Sequence, residues 1–66
     1  MSVARITEIT ATSTEGFQDA VERGLARAEK TLKNVSGAWI RDQKVVLKGG
    51  SREYRVNMKV TFVLED

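Results

Sequence analysis

The chain has 66 residues, with 11 lysines and arginines against 9 acidic residues, a formal net charge of +2, and 41% hydrophobic residues. A chain this short forms one small domain, and its core alone supplies little stability. Cysteine and histidine are both absent, which excludes a disulfide framework, the usual ligands of structural zinc, Ser-His-Asp triads, and thiol or imidazole catalysis. The composition therefore predicts a single, non-enzymatic domain over residues 1–66 that gains stability from subunit association.

Two targeting signals are missing from the sequence. No apolar run approaches the roughly 20 residues that cross a bilayer, so no membrane partner is predicted. The first six residues, MSVARI, lack the apolar segment of a signal peptide. The expected location is therefore the cytoplasm.

The first predicted elements are a strand and a helix. Residues 3–11, VARITEITA, mix Val and Ile with Thr, which favours a strand. Thr12 and Glu15 have the spacing of a capping box and Ser13 is an alternative N-cap, so the helix is predicted to begin at residue 13 or 14. Apolar residues then recur every three or four positions until Lys33, which predicts about five helical turns. These residues are Phe17, Ala20, Val21, Gly24, Leu25, Ala28 and Leu32.

The second half of the chain predicts a β-hairpin. A second extended segment covers residues 35–47, and Lys48-Gly49-Gly50-Ser51 predicts the turn, because glycine adopts the positive φ that short hairpin loops require. The last strand alternates strictly, and we place it in the centre because its apolar face is the longest. The prediction is an α+β fold of β-α-β-β topology, with a three-stranded antiparallel sheet of order 1-3-2 packed on one helix. The alternating apolar residues are Tyr54, Val56, Met58, Val60, Phe62 and Leu64.

The predicted lengths of helix and strands do not match. A helix of about 19 residues spans roughly 28 Å, whereas strands of about 12 residues reach roughly 40 Å. One helix cannot cover such a sheet, and two strand edges remain open. We therefore expect a closed homo-oligomer.

Three segments of the sequence form a recognisable set. They are Ile9-Thr10-Ala11-Thr12-Ser13 leading into Gly16, Leu25-Ala26-Arg27-Ala28 followed by Thr31-Leu32, and the run from Tyr54 to Phe62. Together they resemble the dodecin family of small flavin-binding proteins. The resemblance covers nearly the whole chain. It implies the β-α-β-β fold, a hollow homododecamer, and a flavin (FMN, FAD or riboflavin) as the cofactor.

The resemblance also implies a flavin site, and this sequence departs from it at both key positions. The family's Trp, which stacks on the isoalloxazine ring, corresponds to Gly37, and the only Trp lies two places later at Trp39. The family's Gln, which hydrogen-bonds the ring edge, corresponds to Arg55, a side chain without an acceptor. Gly37, Trp39 and Arg55 are therefore the candidate ligand-binding residues. Residues 37 and 39 share a strand face, which leaves Trp39 roughly 7 Å along the strand from the family position.

Each candidate also has a structural interpretation, which the sequence favours. Trp39 is suited to covering a sheet edge or filling a subunit interface. Arg55, with Asn57 and Lys59 on the same strand face, is suited to a solvated face or to salt bridges with Asp42 or Glu53. A ligand role is the alternative for both positions.

Calcium is the second candidate cofactor. The chain resembles a divergent branch of the family that lacks the same Trp, shares the aromatic-Arg pair of the last strand, and is described as binding calcium. Asp42 and Glu53 are candidate oxygen ligands, but no calcium-binding loop motif is present, so the residues of any metal site stay unassigned.

Two alternatives remain, nucleic-acid binding and a purely structural oligomer that has lost its ancestral ligand. The helix cations Arg23, Arg27 and Lys30 are interrupted by Glu22 and Glu29, so a solvated helix face is favoured over a phosphate-binding ridge. The leading hypothesis is a dodecin-like shell that binds, stores or buffers a small ligand of the flavin type at subunit interfaces. An ion-binding shell without flavin comes second, and a nucleic-acid-binding module has the least support.

Overall fold

The predicted domain spans residues 1–66, of which the computed structural model describes residues 3–64. The central strand of the sheet is antiparallel to both neighbours, in the order 1-3-2, which confirms the predicted α+β fold. Among the described residues, no helix is long and apolar enough to cross a membrane. The elements in chain order are β1 (Val3–Ser13), α1 (Phe17–Thr31), β2 (Val35–Lys48) and β3 (Ser51–Leu64).

The helix begins at Phe17, so the predicted start at residue 13 or 14 is wrong. Gly16 precedes it with a φ of 153°, a conformation that other residues rarely adopt, and no side chain caps the helix. Ser13 instead ends β1, and its hydroxyl accepts the backbone N–H of Glu15 at 2.9 Å. The same hydroxyl donates to the carboxylate of Asp19. Ser13 therefore orders the turn before the helix and leaves the helix shorter than predicted.

The core lies where α1 crosses β1 and β3. Val56, Met58 and Val60 of β3 are fully buried, and small residues on the helix allow this close approach. At Gly24, an added Cβ would overlap the Cε of Met58 and lie 3.0 Å from the Cβ of Ala11. The predicted apolar stripe of the helix is thus confirmed as its core-facing side.

The hairpin between β2 and β3 turns at Gly49 and Gly50, with φ angles of 51° and 87°, as predicted. The register of β2 against β3 shifts twice, between Val35 and Gly37 and between Ile40 and Asp42. Each shift is a β-bulge, in which one extra residue of β2 faces β3.

The sheet is much longer than the helix. α1 has 15 residues and spans about 22 Å, whereas β3 has 14 residues and spans about 46 Å. The helix packs on β1 and β3 and leaves β2 open. On the helix side of β2, Val45 is 42% exposed and Leu47 is 72% exposed. The mismatch predicted from the sequence is therefore present, and larger than predicted.

Candidate ligand-binding site

One face of the sheet carries all three candidate residues. Met58 points toward α1, and directly opposite residues of antiparallel strands point to the same side. The residues that alternate with Met58 along β3 therefore point away from the helix, together with their partners. We call this surface the outer face. It includes Gly37 and Trp39 on β2, and Arg55 and Lys59 on β3.

The outer face brings Gly37 and Trp39 together and keeps Arg55 apart from them. Gly37 and Trp39 are two residues apart on β2, which corresponds to roughly 7 Å. Trp39 pairs with Lys59, four residues from Arg55 along β3, which corresponds to roughly 13 Å. Within one chain, Trp39 and Arg55 therefore do not contact the same edge of one small ring.

The surface beside Trp39 is open at Gly37. A Cβ added at Gly37 would meet no atom within 4 Å. The position that the resemblance assigns to a stacking Trp is thus a flat stretch of backbone. No neighbouring side chain of the described residues fills it.

Trp39 is half exposed, and a cation lies against its ring. The side chain is 49% exposed. The Nζ of Lys59 lies 5.5 Å from the centroid of the indole ring, a cation–π distance. This pair combines an aromatic surface with a positive charge, which suits a planar ligand that carries an anionic group.

Polar side chains cross the sheet next to this pair. The hydroxyl of Thr10 donates to Oδ1 of Asn57 at 2.7 Å, and Nδ2 of Asn57 donates to Oδ1 of Asp42 at 2.7 Å. Nη1 of Arg41 donates to Oε2 of Glu8 at 2.8 Å, and this bond raises the pKa of Arg41. Residues of β1, β2 and β3 are thus tied together on the outer face.

Arg55 is only partly satisfied. Its Nη2 lies 2.7 Å from Oε1 of Glu53, the salt bridge that the structural interpretation anticipated. Its Nε is buried without an acceptor among residues 3–64. A buried N–H without an acceptor is costly, and this Nε has no exposed surface, so Arg55 must move before it can meet an oxygen outside the described residues.

Each carboxylate of the outer face has one polar partner among the described residues. Glu8 pairs with Arg41, Asp42 accepts from Asn57, and Glu53 pairs with Arg55. The residues that the structure describes contain no group of three or more acidic side chains that could hold a metal ion. A calcium site on this face would have to break existing contacts or draw on several subunits.

The outer face carries the excess positive charge of the chain. The alternation and pairing of the strands place five cations and three carboxylates on it, and the remaining charged residues number six of each sign. The net charge of +2 therefore resides on this face and favours anionic guests. Its charged residues are Arg41, Lys44, Lys48, Arg55 and Lys59, with Glu8, Asp42 and Glu53.

The helix cations do not form a phosphate-binding ridge of their own. Arg23 pairs with Asp19 one turn away, and Nη1 of Arg27 lies 3.5 Å from the hydroxyl of Thr31. The hydrogen bond from Ser13, followed by the contacts with Arg23, lowers the pKa of Asp19. These contacts agree with the solvated helix face that the sequence favoured.

Sequence reasoning missed Lys59 as a site residue, together with its surroundings, Arg41 and Glu8. Lys59 was placed only among the polar residues of the central strand. The missing signal is the bulge between Ile40 and Asp42, because it decides which residue of β3 lies opposite Trp39.

Comparison with known families gives one clear match. The family model described as Dodecin matches residues 3–65 of the chain. The curated Dodecin of Thermus thermophilus is 35% identical over 60 residues, which cover 89% of this chain and 87% of the relative.

Solved structures agree with the family match. Dodecin from Streptomyces davaonensis superposes with a TM-score of 0.92 at 33% identity, covering 98% of this chain and 97% of its own. The calcium dodecin of Mycobacterium tuberculosis, described as calcium chelating, has a TM-score of 0.88 at 23% identity, covering 97% and 93%. At that identity, the second structure supports the fold alone.

Proposed function

Because this chain belongs to the dodecin family, we propose that it is a non-enzymatic homo-oligomer that binds and stores a flavin-type ligand on its outer face. The observation that carries the proposal is Trp39. Its ring is half exposed on a surface that the helix leaves open, and the cation of Lys59 lies against it. A planar anionic guest matches this chemistry.

The residues fit a flavin in a manner different from the family pattern. Trp39 supplies the stacking surface in place of Gly37, where the open backbone leaves room for a ring to extend. Arg55 supplies only donors, so it serves a carbonyl or phosphate oxygen of the guest. Because Arg55 lies roughly 13 Å from the Trp39 position along β3, the two residues contact different parts of the guest or guests on neighbouring subunits.

Assembly completes the site. The apolar residues on the helix side of β2 need a cover, and identical subunits arranged in a closed ring or cage provide it without leaving open edges. The family's dodecameric state is the expected assembly. Symmetry then brings copies of Trp39 near each other, so that a guest stacks between indole rings of two subunits.

The first test is a flavin titration with variants of Trp39. Quenching of FMN and riboflavin fluorescence should rise with protein concentration. Trp39→Leu should weaken binding by about tenfold or more, since stacking on an aromatic ring contributes roughly 1–3 kcal/mol, whereas Trp39→Phe should retain part of it. The double variant Gly37→Trp/Arg55→Gln restores both family contacts and serves as the positive control for the assay.

Native mass spectrometry of freshly purified protein gives the subunit number and the mass of any retained guest in one measurement. Absence of quenching in the wild-type protein, alongside quenching by the double variant, would rule out flavin as the ligand. Calcium titration of the same sample then tests an ion-binding shell, which the lack of a group of three acidic side chains among the described residues does not favour.

A further inference from the structure

Lys59 has two competing neighbours on the outer face. In the central strand it lies directly opposite Glu8 of β1 on one side and Trp39 of β2 on the other. Side chains in such cross-strand positions have Cβ atoms about 5 Å apart, so the ammonium group of Lys59 can reach either partner. A carboxylate would neutralise the charge of Lys59, whereas an indole ring leaves it available.

In the structure Lys59 contacts the ring of Trp39 and not Glu8, because Arg41 already pairs with Glu8. Arg41 lies at the bulge of β2, between Ile40 and Asp42, and its guanidinium reaches across β3 to the carboxylate of Glu8 at 2.8 Å. Glu8 is therefore already paired. Lys59 lies over Trp39 instead, with Nζ 5.5 Å from the ring centroid.

The result is a cation that lies beside an exposed aromatic ring and forms no salt bridge among the described residues. The pair of Glu8 and Arg41 carries no net charge. Asp42 keeps its negative charge, because its partner is the neutral amide of Asn57, but within residues 3–64 no salt bridge joins it to Lys59. A neutral guest that stacks on the covered side of the ring must displace Lys59, whereas an anionic guest gains a charged contact with it.

We propose that Lys59 makes the site selective for flavins that carry phosphate, FMN and FAD, over neutral riboflavin, and that the Arg41–Glu8 pair positions Lys59 for this role. The inference rests on the proposed flavin-type ligand and adds its charge class. A phosphate monoester carries nearly two negative charges at neutral pH. The ammonium group of Lys59 is a compact partner for it.

The experiment compares dissociation constants for FMN and riboflavin at low and high salt in four proteins. In the wild-type protein, FMN should bind about tenfold more tightly than riboflavin at low salt, and the ratio should shrink at high salt. Lys59→Met, which keeps the length and apolar stem of the side chain, should bring the ratio of the two dissociation constants near one.

Two further variants test the positioning role. Arg41→Gln leaves Glu8 free to pair with Lys59, so the preference for FMN should fall toward that of Lys59→Met even though Lys59 is present. The double variant Glu8→Gln/Arg41→Gln removes the competing charge and should restore the preference. A merely structural role of Arg41 predicts no such rescue.

Sedimentation of each variant confirms that the assembly is unchanged. Equal binding of FMN and riboflavin by the wild-type protein would overturn the inference and leave the proposed function standing. A preference for FMN that persists in Lys59→Met would also overturn it. The same holds if the preference is lost in Arg41→Gln and is not restored in the double variant Glu8→Gln/Arg41→Gln. If neither flavin binds the wild-type protein, the proposed function fails and this inference fails with it.

Discussion

The close approach of helix and sheet at Gly24 predicts that one substitution is destabilising in the wild-type protein and close to neutral in a second background. In the wild-type protein, Gly24→Ala places a methyl group on the Cε of Met58 and 3.0 Å from the Cβ of Ala11. Overpacking of this kind lowers the free energy of unfolding by roughly 1–3 kcal/mol. The better helix propensity of alanine raises it by about 1 kcal/mol. We expect a net loss of about 1 kcal/mol in the free energy of unfolding.

Met58→Val removes the overlapping atom. This substitution alone should cost about 1–2 kcal/mol, because it removes apolar side-chain atoms from a fully buried position. In this background, Gly24→Ala should be close to neutral. The overlap with Cε is gone, and the gain in helix propensity of about 1 kcal/mol offsets the remaining 3.0 Å approach to the Cβ of Ala11.

Urea unfolding at one fixed protomer concentration measures all four proteins, because dissociation of subunits contributes to apparent stability. Gly37→Ala is the matched control: no atom lies within 4 Å of its added Cβ, so the change should stay within about 0.5 kcal/mol. An equal effect of Gly24→Ala in both backgrounds would mean that the helix does not rest on Met58 as described.

Two further predictions concern assembly and acid stability. Val45→Glu introduces a charge on the open helix side of β2, so sedimentation velocity should show smaller particles. Val45→Ile is the control and should leave the particle size unchanged. An assembly of full size in Val45→Glu would mean that the subunit contact lies elsewhere. The hydrogen bond from Ser13, followed by the contacts with Arg23, lowers the pKa of Asp19 in the folded state. The ionised carboxylate therefore stabilises the fold above the unfolded pKa of about 3.9, and this stabilisation is lost as pH falls through the folded pKa. Asp19→Asn should therefore lower Tm at neutral pH and flatten its decline below about pH 4, and identical acid profiles for both proteins would contradict this.

The fold could be predicted from the sequence because its signals are periodic. The alternation from Tyr54 to Leu64 and the helical stripe from Phe17 to Leu32 each identify a buried face without reference to any other part of the chain. The helix start was mistaken because Ser13 has two uses. Its hydroxyl can cap a helix or order a turn, and only Gly16, with a φ of 153°, decides between them.

The site could not be derived in the same way, because it depends on a bulge. Counting back from the turn pair of Lys48 and Ser51 without interruption sets Trp39 opposite Val60, on the core side of the sheet. The extra residue between Ile40 and Asp42 shifts the register by one position and sets Trp39 opposite Lys59, on the outer face. No periodic pattern in the sequence predicts the position of this bulge.

Many polar and charged side chains of the outer face have partners within the described residues, so those without a salt bridge indicate the kind of guest that fits the face. Each of its carboxylates has one polar partner within residues 3–64, an arginine for Glu8 and Glu53 and the neutral amide of Asn57 for Asp42. Among the same residues, the ammonium group of Lys59 forms no salt bridge and lies on the ring of Trp39. On a face with a net charge of +2, such a cation is suited to binding an anion. The cation of Lys59 on the exposed ring of Trp39 therefore supports the proposal of an aromatic, negatively charged guest.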